Sequence, residues 1–215
     1  MDRADRVHLL TFHNWVMGSI GKHHKVVREM QEKFGSDRII AHEEEISETF
    51  NVFYFKGMAR HIWSYRTFYV PWICGACKMA MHTRAIAYNL EHGINTTYDG
   101  AHMESAPYFP DQADPYMQTL KGLYQSYGMC YDSPIYRVQN TDEATERYGL
   151  ITTRKTKREH VVFSTQHVCL VGLLVHAHAR LYYRPLRGKN RAKVLAGKFL
   201  RDRIQECMVY LPRRP

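Results

Sequence analysis

Short apolar runs alternate with helical runs along the first hundred residues, and that alternation leaves the chain few folds. "RVHLLTF" (6–12) and "DRIIAHE" (37–43) are short and mainly apolar, with charged residues at their ends, the pattern of strands. Between them "GKHHKVVREMQEKFG" (21–35) puts Val26, Val27, Met30 and Phe34 at helical spacing and stops at Gly35. "SETFNVFYFKGMARHIWSY" reads as an aromatic helix broken near Gly57, and "TFYVPWI" as a strand leading into two cysteines. The clearest helix is "ACKMAMHTRAIAYNLEHG" (76–93), with Met79, Ala80, Ile86, Ala87 and Leu90 mainly along one side and Gly93 as its stop. "INTTYDG" (94–100) is a further strand that runs into an Asp99-Gly100 turn. Such an order predicts an α/β fold: a mostly parallel sheet with helices on both faces. Ligands in these sheets sit beyond the carboxyl ends of the strands. Asn14, Cys74 and Asp99 each follow a predicted strand, so one crevice is expected to hold all three.

Beyond Pro107 the periodic signal weakens. "DPYMQTLKGLYQSYG" (114–128) reads as a helix, and Thr141 as the N-cap of a short acidic one. "RAKVLAGKFLRDRIQECMVYL" (191–211) is a basic amphipathic helix with Val194, Leu195, Phe199 and Ile204 inward. The expected organisation is an α/β core over 1–106 and a helical, basic region over 107–215 that completes the domain. The chain of 215 residues is long enough for one domain with a real core.

Charge is uneven. Residues 154–215 carry fifteen Lys and Arg against three acids (Glu159, Asp202, Glu206), a net +12, while the first 153 residues sum to −3. A basic C-terminal third suits a polyanion, RNA ahead of a membrane surface, met through residues 180–203, or else a solvated helix face. No apolar run approaches the 18 or so residues of a membrane span, so no membrane partner is expected. "MDRADRVHLL" lacks the pattern of a secretory signal. Five cysteines, odd in number and unevenly spaced, make no disulfide framework, and a reducing cytoplasm is the expected setting.

Cys74 and Cys77, three positions apart, suit a shared metal, a redox pair or plain packing. A four-ligand zinc site needs two more donors, for which Cys130, Cys169 and thirteen histidines are candidates. His176 and His178, two positions apart, diverge on a helix, which argues against a joint ion there. His23 and His24, near a helix start, face phosphate or solvent. "MGSIGK" (17–22) lacks both the glycine spacing and the hydroxyl of a phosphate loop.

"CGACKMAMHTRAIAYNLEHGINTTYDGAHMES" resembles the middle of the PP-loop ATP pyrophosphatases, the adenine nucleotide α-hydrolase-like superfamily. The likeness is greatest to the tRNA 2-thiocytidine synthetase type. Those proteins carry C-x-x-C at the head of a helix, a glycine ending it, a strand, and a Gly/His/Asp turn at the nucleotide. Here these are Cys74, Cys77, Gly93 and the run Asp99-Gly100-Ala101-His102-Met103-Glu104. His13 and Asn14 fall at the turn after the family's second strand. The resemblance spans residues 6–105 and implies a Rossmann-like sheet. It also implies ATP with Mg at His13, Asn14, Asp99, Gly100, His102 and Glu104. A [4Fe-4S] cluster on Cys74, Cys77 and Cys169 follows from the same likeness, with Cys130 in reserve and zinc as the alternative. The activity it implies is thiolation: ATP adenylates a carbonyl oxygen, and sulfide then displaces AMP. An adenylating ligase or amidotransferase acting on a small molecule is a further alternative. The family's Ser-Gly-Gly-x-Asp-Ser loop occurs nowhere in the chain. The first strand and its loop are therefore expected from a partner chain or from sequence upstream, or else the protein is a non-catalytic subunit of the same fold.

Overall fold

The computed structural model describes residues 5–16, 23–56, 59, 63, 72–103, 106, 109–138, 198–204 and 209–211. The chain divides into two compact units, Met1–Glu45 with Asn140–Leu170 and Ile46–Gln139 with Val171–Pro215.

In the first unit, strand β1 (Val7–His13) is followed by helix α1 (His23–Phe34) and strand β2 (Ile39–Glu45). The two strands pair in parallel, Val7 opposite Ile39 and His13 opposite Glu45. Parallel strands need a crossover, and α1 supplies it. Gly35 ends α1 at φ 98°, with its amide donating to Gln31 O at 2.9 Å. A β-carbon there would meet only the movable end of the exposed Asp37 side chain, Oδ1 at 2.6 Å, so the positive backbone angle is what calls for glycine. Among the described residues of this unit only Asn14 and Ile39 are buried. Val27 and Met30 are half-covered on α1, whereas Val26 and Phe34 are exposed.

Among the described residues most of the buried ones belong to the second unit. Helix α2 (Ser47–Phe55) buries Phe50 and Phe53 and packs on helix α3 (Trp72–His92). Helix α3 begins four residues before the expected start, so Cys74 and Cys77 lie within its first two turns. Its inner face is Ala76, Met79, Ala80, Ile86, Ala87 and Tyr88, all buried. Gly93 ends it at φ 66°, where a β-carbon would meet nothing. Glycine is there for its backbone angle alone. The chain then returns as strand β3 (Thr96–Tyr98). A 3-10 turn (Pro110–Gln112) and helix α4 (Asp114–Ser126) lead to strand β4 (Cys130–Asp132). Strands β3 and β4 are parallel, Thr96 opposite Cys130 and Tyr98 opposite Asp132.

The architecture is therefore α/β, with both strand pairs parallel as expected. Among the described residues each sheet has two strands. The expected short acidic helix after Thr141 and the start of the basic helix lie outside the described residues. Helical residues 198–204 bury Phe199 and Leu200, and also Arg203 at 0% exposure. The Arg203 guanidinium donates to Lys56 O at 2.6 Å and lies 5.7 Å from the Phe199 ring centre. Of the basic stretch over 180–203, Arg203 therefore belongs to the interior.

Candidate functional site

Helix α3 and strand β3 run in opposite directions across the Gly93 turn, so the start of α3 and the end of β3 share one end of the second unit. Two contacts fix the level. Lys78 Nζ lies 3.2 Å from Asp99 Oδ2, and His82 Nε2 lies 3.6 Å from the same oxygen. Lys78 and His82 are four apart on α3 and so share a face. One turn further toward the helix start on that face comes Cys74, about 6 Å along the axis from Lys78 at 1.5 Å per residue. Cys74 therefore lies one helical turn beyond the level of Asp99, and Cys77 lies close to that level.

Asp99 is the centre of a network. Tyr131 donates its hydroxyl to Oδ2 at 2.7 Å, Ser133 donates to Oδ1, and the Ala101 amide donates to Oδ1 at 3.1 Å. Burial pulls the Asp99 pKa upward, but the contacts from His82 and Ser133 and the Lys78 charge outweigh it and hold the carboxyl well below the usual range. His82 is pulled the other way: burial favours its neutral form and lowers its pKa, against the opposing contact with Asp99. Its Nδ1 pairs with Tyr124 Oη at 2.9 Å, and its ring stands edge-on to Tyr124 and Tyr131. The Tyr131 phenol is pushed up by burial and by the adjacent Asp99 charge, so it stays a donor. Asp111, in the 3-10 turn, is buried with Oδ1 lacking a hydrogen-bond partner, and burial raises its pKa.

Above this network opens a pocket of about 360 Å³ lined by Met117, Lys121, Tyr131, Ser133, Tyr136 and Arg137 among others. That volume is in the range of small-molecule sites. Met117, Tyr131 and Ser133 belong to both pocket and network: the Met117 sulfur accepts from Lys78 Nζ at 3.3 Å. The pocket lies beyond the carboxyl end of β4, where parallel sheets bind ligands. Lys121 and Arg137 give it positive charge, and Asp114 and Asp132 give it negative charge. The loops after the two strands are joined. Met103 N donates to Tyr136 O at 2.9 Å, His102 N donates to Gln112 Oε1 at 2.8 Å, and His102 Nε2 meets Val138 O at 2.7 Å.

Of the residues expected at the nucleotide, Asp99, Gly100 and His102 share this end of the second unit. The Asp99 carboxylate and the His102 ring are already engaged by protein groups. Glu104 lies outside the described residues. His13 and Asn14 end β1 in the first unit; Asn14 is buried and its Oδ1 accepts from Val16 N at 3.0 Å, while His13 Nδ1 is buried without a hydrogen-bond partner.

Cys74 and Cys77 are half-buried thiols on adjacent turns of α3, outside any disulfide. Their spacing on one helix suits two ligands of one metal or cluster. Cys169, the expected third ligand, lies outside the described residues. Cys130 is exposed and opens β4 opposite Thr96, at the other end of the strand pair from Asp99. The start of α3 is held by Tyr116, whose hydroxyl donates to Gly75 O at 2.6 Å.

Lys78, His82, Asp111, Tyr131 and Ser133 were not singled out by the sequence. Stepping by four from Cys74 finds the first two; the others depend on long-range packing. Compared with known protein families, curated proteins and solved structures, the chain matches none. Among the described residues no helix is long and apolar enough to cross a membrane.

Proposed function

We propose that this chain is a nucleotide-binding α/β protein of the PP-loop type that acts in ATP-dependent sulfur transfer, with tRNA as the substrate class. The nucleotide sits in the pocket beyond β4, and the thiols belong to the helix that Lys78 ties to Asp99. The observation that supports this most is the Lys78–Asp99 contact of 3.2 Å, which ties the cysteine-bearing end of α3 to the turn after β3. Lys121 and Arg137 are the groups that meet phosphate, and Tyr136 offers an aromatic wall. A [4Fe-4S] cluster held by Cys74, Cys77 and Cys169 would supply an iron with an open position that carries sulfide. The chain's own part is to bind the nucleotide, to hold Asp99 ionised and to keep His82 neutral beside it. The finer fold belongs to the same proposal: one mostly parallel sheet, Rossmann-like, whose first strand and phosphate loop come from another chain or from sequence upstream.

A second reading is a non-catalytic subunit of the same fold with structural zinc on the thiols. It is favoured by the degree to which Asp99 is already satisfied, since a carboxylate has about four lone-pair sites and here it meets Lys78, Tyr131, Ser133 and the Ala101 amide. Metal and sulfide analysis of anaerobically purified protein separates the two. Iron with acid-labile sulfide, lost in Cys74→Ser, supports sulfur transfer. Stoichiometric zinc lost in the same variant supports the subunit, and no metal sensitive to Cys74 removes both.

A further inference from the structure

His23 and His24 begin α1 and Glu43 lies on β2, all in the first unit, whereas the thiols and the Asp99 network belong to the second. Neighbouring residues on a helix point about 100° apart, so adjacent histidines ordinarily diverge. These two converge. Their ring centres are 4.1 Å apart, and both Nε2 atoms approach one carboxylate oxygen, Glu43 Oε1, at 2.9 Å and 3.5 Å. All three ligand atoms lie within 4.8 Å of one another. A hydrogen bond to Glu43 accounts for one imidazole; the second, 3.5 Å from the same oxygen, brings a third ligand-type atom to the same point. Nitrogen and oxygen ligands at about 2.0–2.2 Å from zinc stand roughly 3.3 Å from each other in a tetrahedron.

We propose that His23, His24 and Glu43 form a site for one first-row divalent cation, zinc in the first place. Two imidazoles and a carboxylate are the ligand type of open zinc centres, in which water or a substrate atom takes the fourth position. The His23 side chain is 13% exposed, His24 59% and Glu43 41%, so the ion is anchored on its His23 side and reached by solvent on the other. The parallel β1–β2 ladder places Glu43 opposite Thr11 and fixes the carboxylate on a rigid strand, while α1 fixes the two rings. The site is independent of the nucleotide reading, because none of its ligands belongs to the second unit.

The test uses the full chain stripped of metal by a chelator and then titrated with Zn²⁺ by calorimetry. A background in which all five cysteines (Cys74, Cys77, Cys130, Cys169 and Cys207) are replaced by serine removes thiolate binding. One equivalent of Zn²⁺ is expected in that background. His24→Ala or Glu43→Gln placed in it weakens affinity by more than about tenfold, the least that losing even an outer-shell partner costs. Both side chains are substantially exposed, so melting temperatures without metal stay at the background value. Should the cysteine background fold poorly, Co²⁺ binding to the parent chain gives the same answer: His24→Ala removes a cobalt spectrum that has no thiolate charge-transfer band. Absence of binding in the cysteine background, or unchanged affinity in both variants, overturns the site.

Discussion

Replacing Asp99 by Asn keeps the shape and removes the charge at the centre of the second unit. The Lys78 side chain is 11% exposed and Asp99 20%, so the ammonium would be left mostly buried without its counter-charge. Breaking a buried pair from one side costs about 3–5 kcal/mol. The amide also offers one acceptor oxygen where Tyr131, Ser133 and the Ala101 amide now donate to two. A buried donor left unmet costs about 1–3 kcal/mol. These costs overlap, because rotation of the amide shares the remaining oxygen, and about 4 kcal/mol is expected in all. Lys78→Met leaves Asp99 with its hydroxyl and amide donors and should cost about half as much. The double variant should then cost about 2 kcal/mol less than the sum of the single ones, within the range for residues in contact. Urea unfolding followed by circular dichroism at pH 7 measures all three. A loss below about 1 kcal/mol for Asp99→Asn, or strict additivity in the cycle, would refute the idea that this ion pair locks α3 to β3.

Four further outcomes follow from particular contacts. Asp111 holds a proton in the native state that the unfolded chain releases above about pH 4, so it costs stability as pH rises from there toward its raised native value. Asp111→Asn should therefore gain stability relative to the parent more at pH 7 than at pH 4, by up to about 1.4 kcal/mol per pH unit crossed, read from denaturation at each pH. His82 has the opposite sense: below about pH 6.5 the unfolded chain takes up a proton that native His82 resists, so acid costs stability, and His82→Gln should flatten that part of the profile. Gly93→Ala meets no atom but must hold φ near 66°, and a thermal melt should show a loss of about 1 kcal/mol. Tyr116→Phe removes the 2.6 Å bond to Gly75 O, and unfolding should show a loss of about 1–3 kcal/mol together with faster alkylation of Cys74.

The elements that were legible in the sequence are those whose own periodicity carries them. β1, α1, β2 and α4 come out within one or two residues, because each has a clear apolar pattern and a glycine or polar boundary. β3 is two residues shorter at each end than the run that predicted it. The start of α3 was misplaced because "TFYVPWI" is a short apolar run, which reads as a strand or as a buried helix equally well. β4 was missed: three residues, Cys130–Asp132, have no period of their own and become a strand only by pairing with β3. At the site, the Asp-Gly pair marked the turn, but not what Asp99 does there. That depends on Lys78 and His82 one helix face away and on Tyr131 and Ser133 some thirty residues on. Arg203 shows the same limit from the other side, since a basic helix in sequence hides one arginine that packs inward.

The central claim is that the pocket above Asp99 takes an adenine nucleotide. Calorimetric titration of the full chain with ATP and Mg²⁺ tests it directly, run beside Lys121→Glu, which reverses an exposed charge on the pocket wall. The account predicts one nucleotide bound per chain and affinity at least about tenfold weaker in the variant, a change of about 1.4 kcal/mol, with the melting temperature unchanged. No binding by the parent chain, or equal affinity in the two proteins, would contradict it.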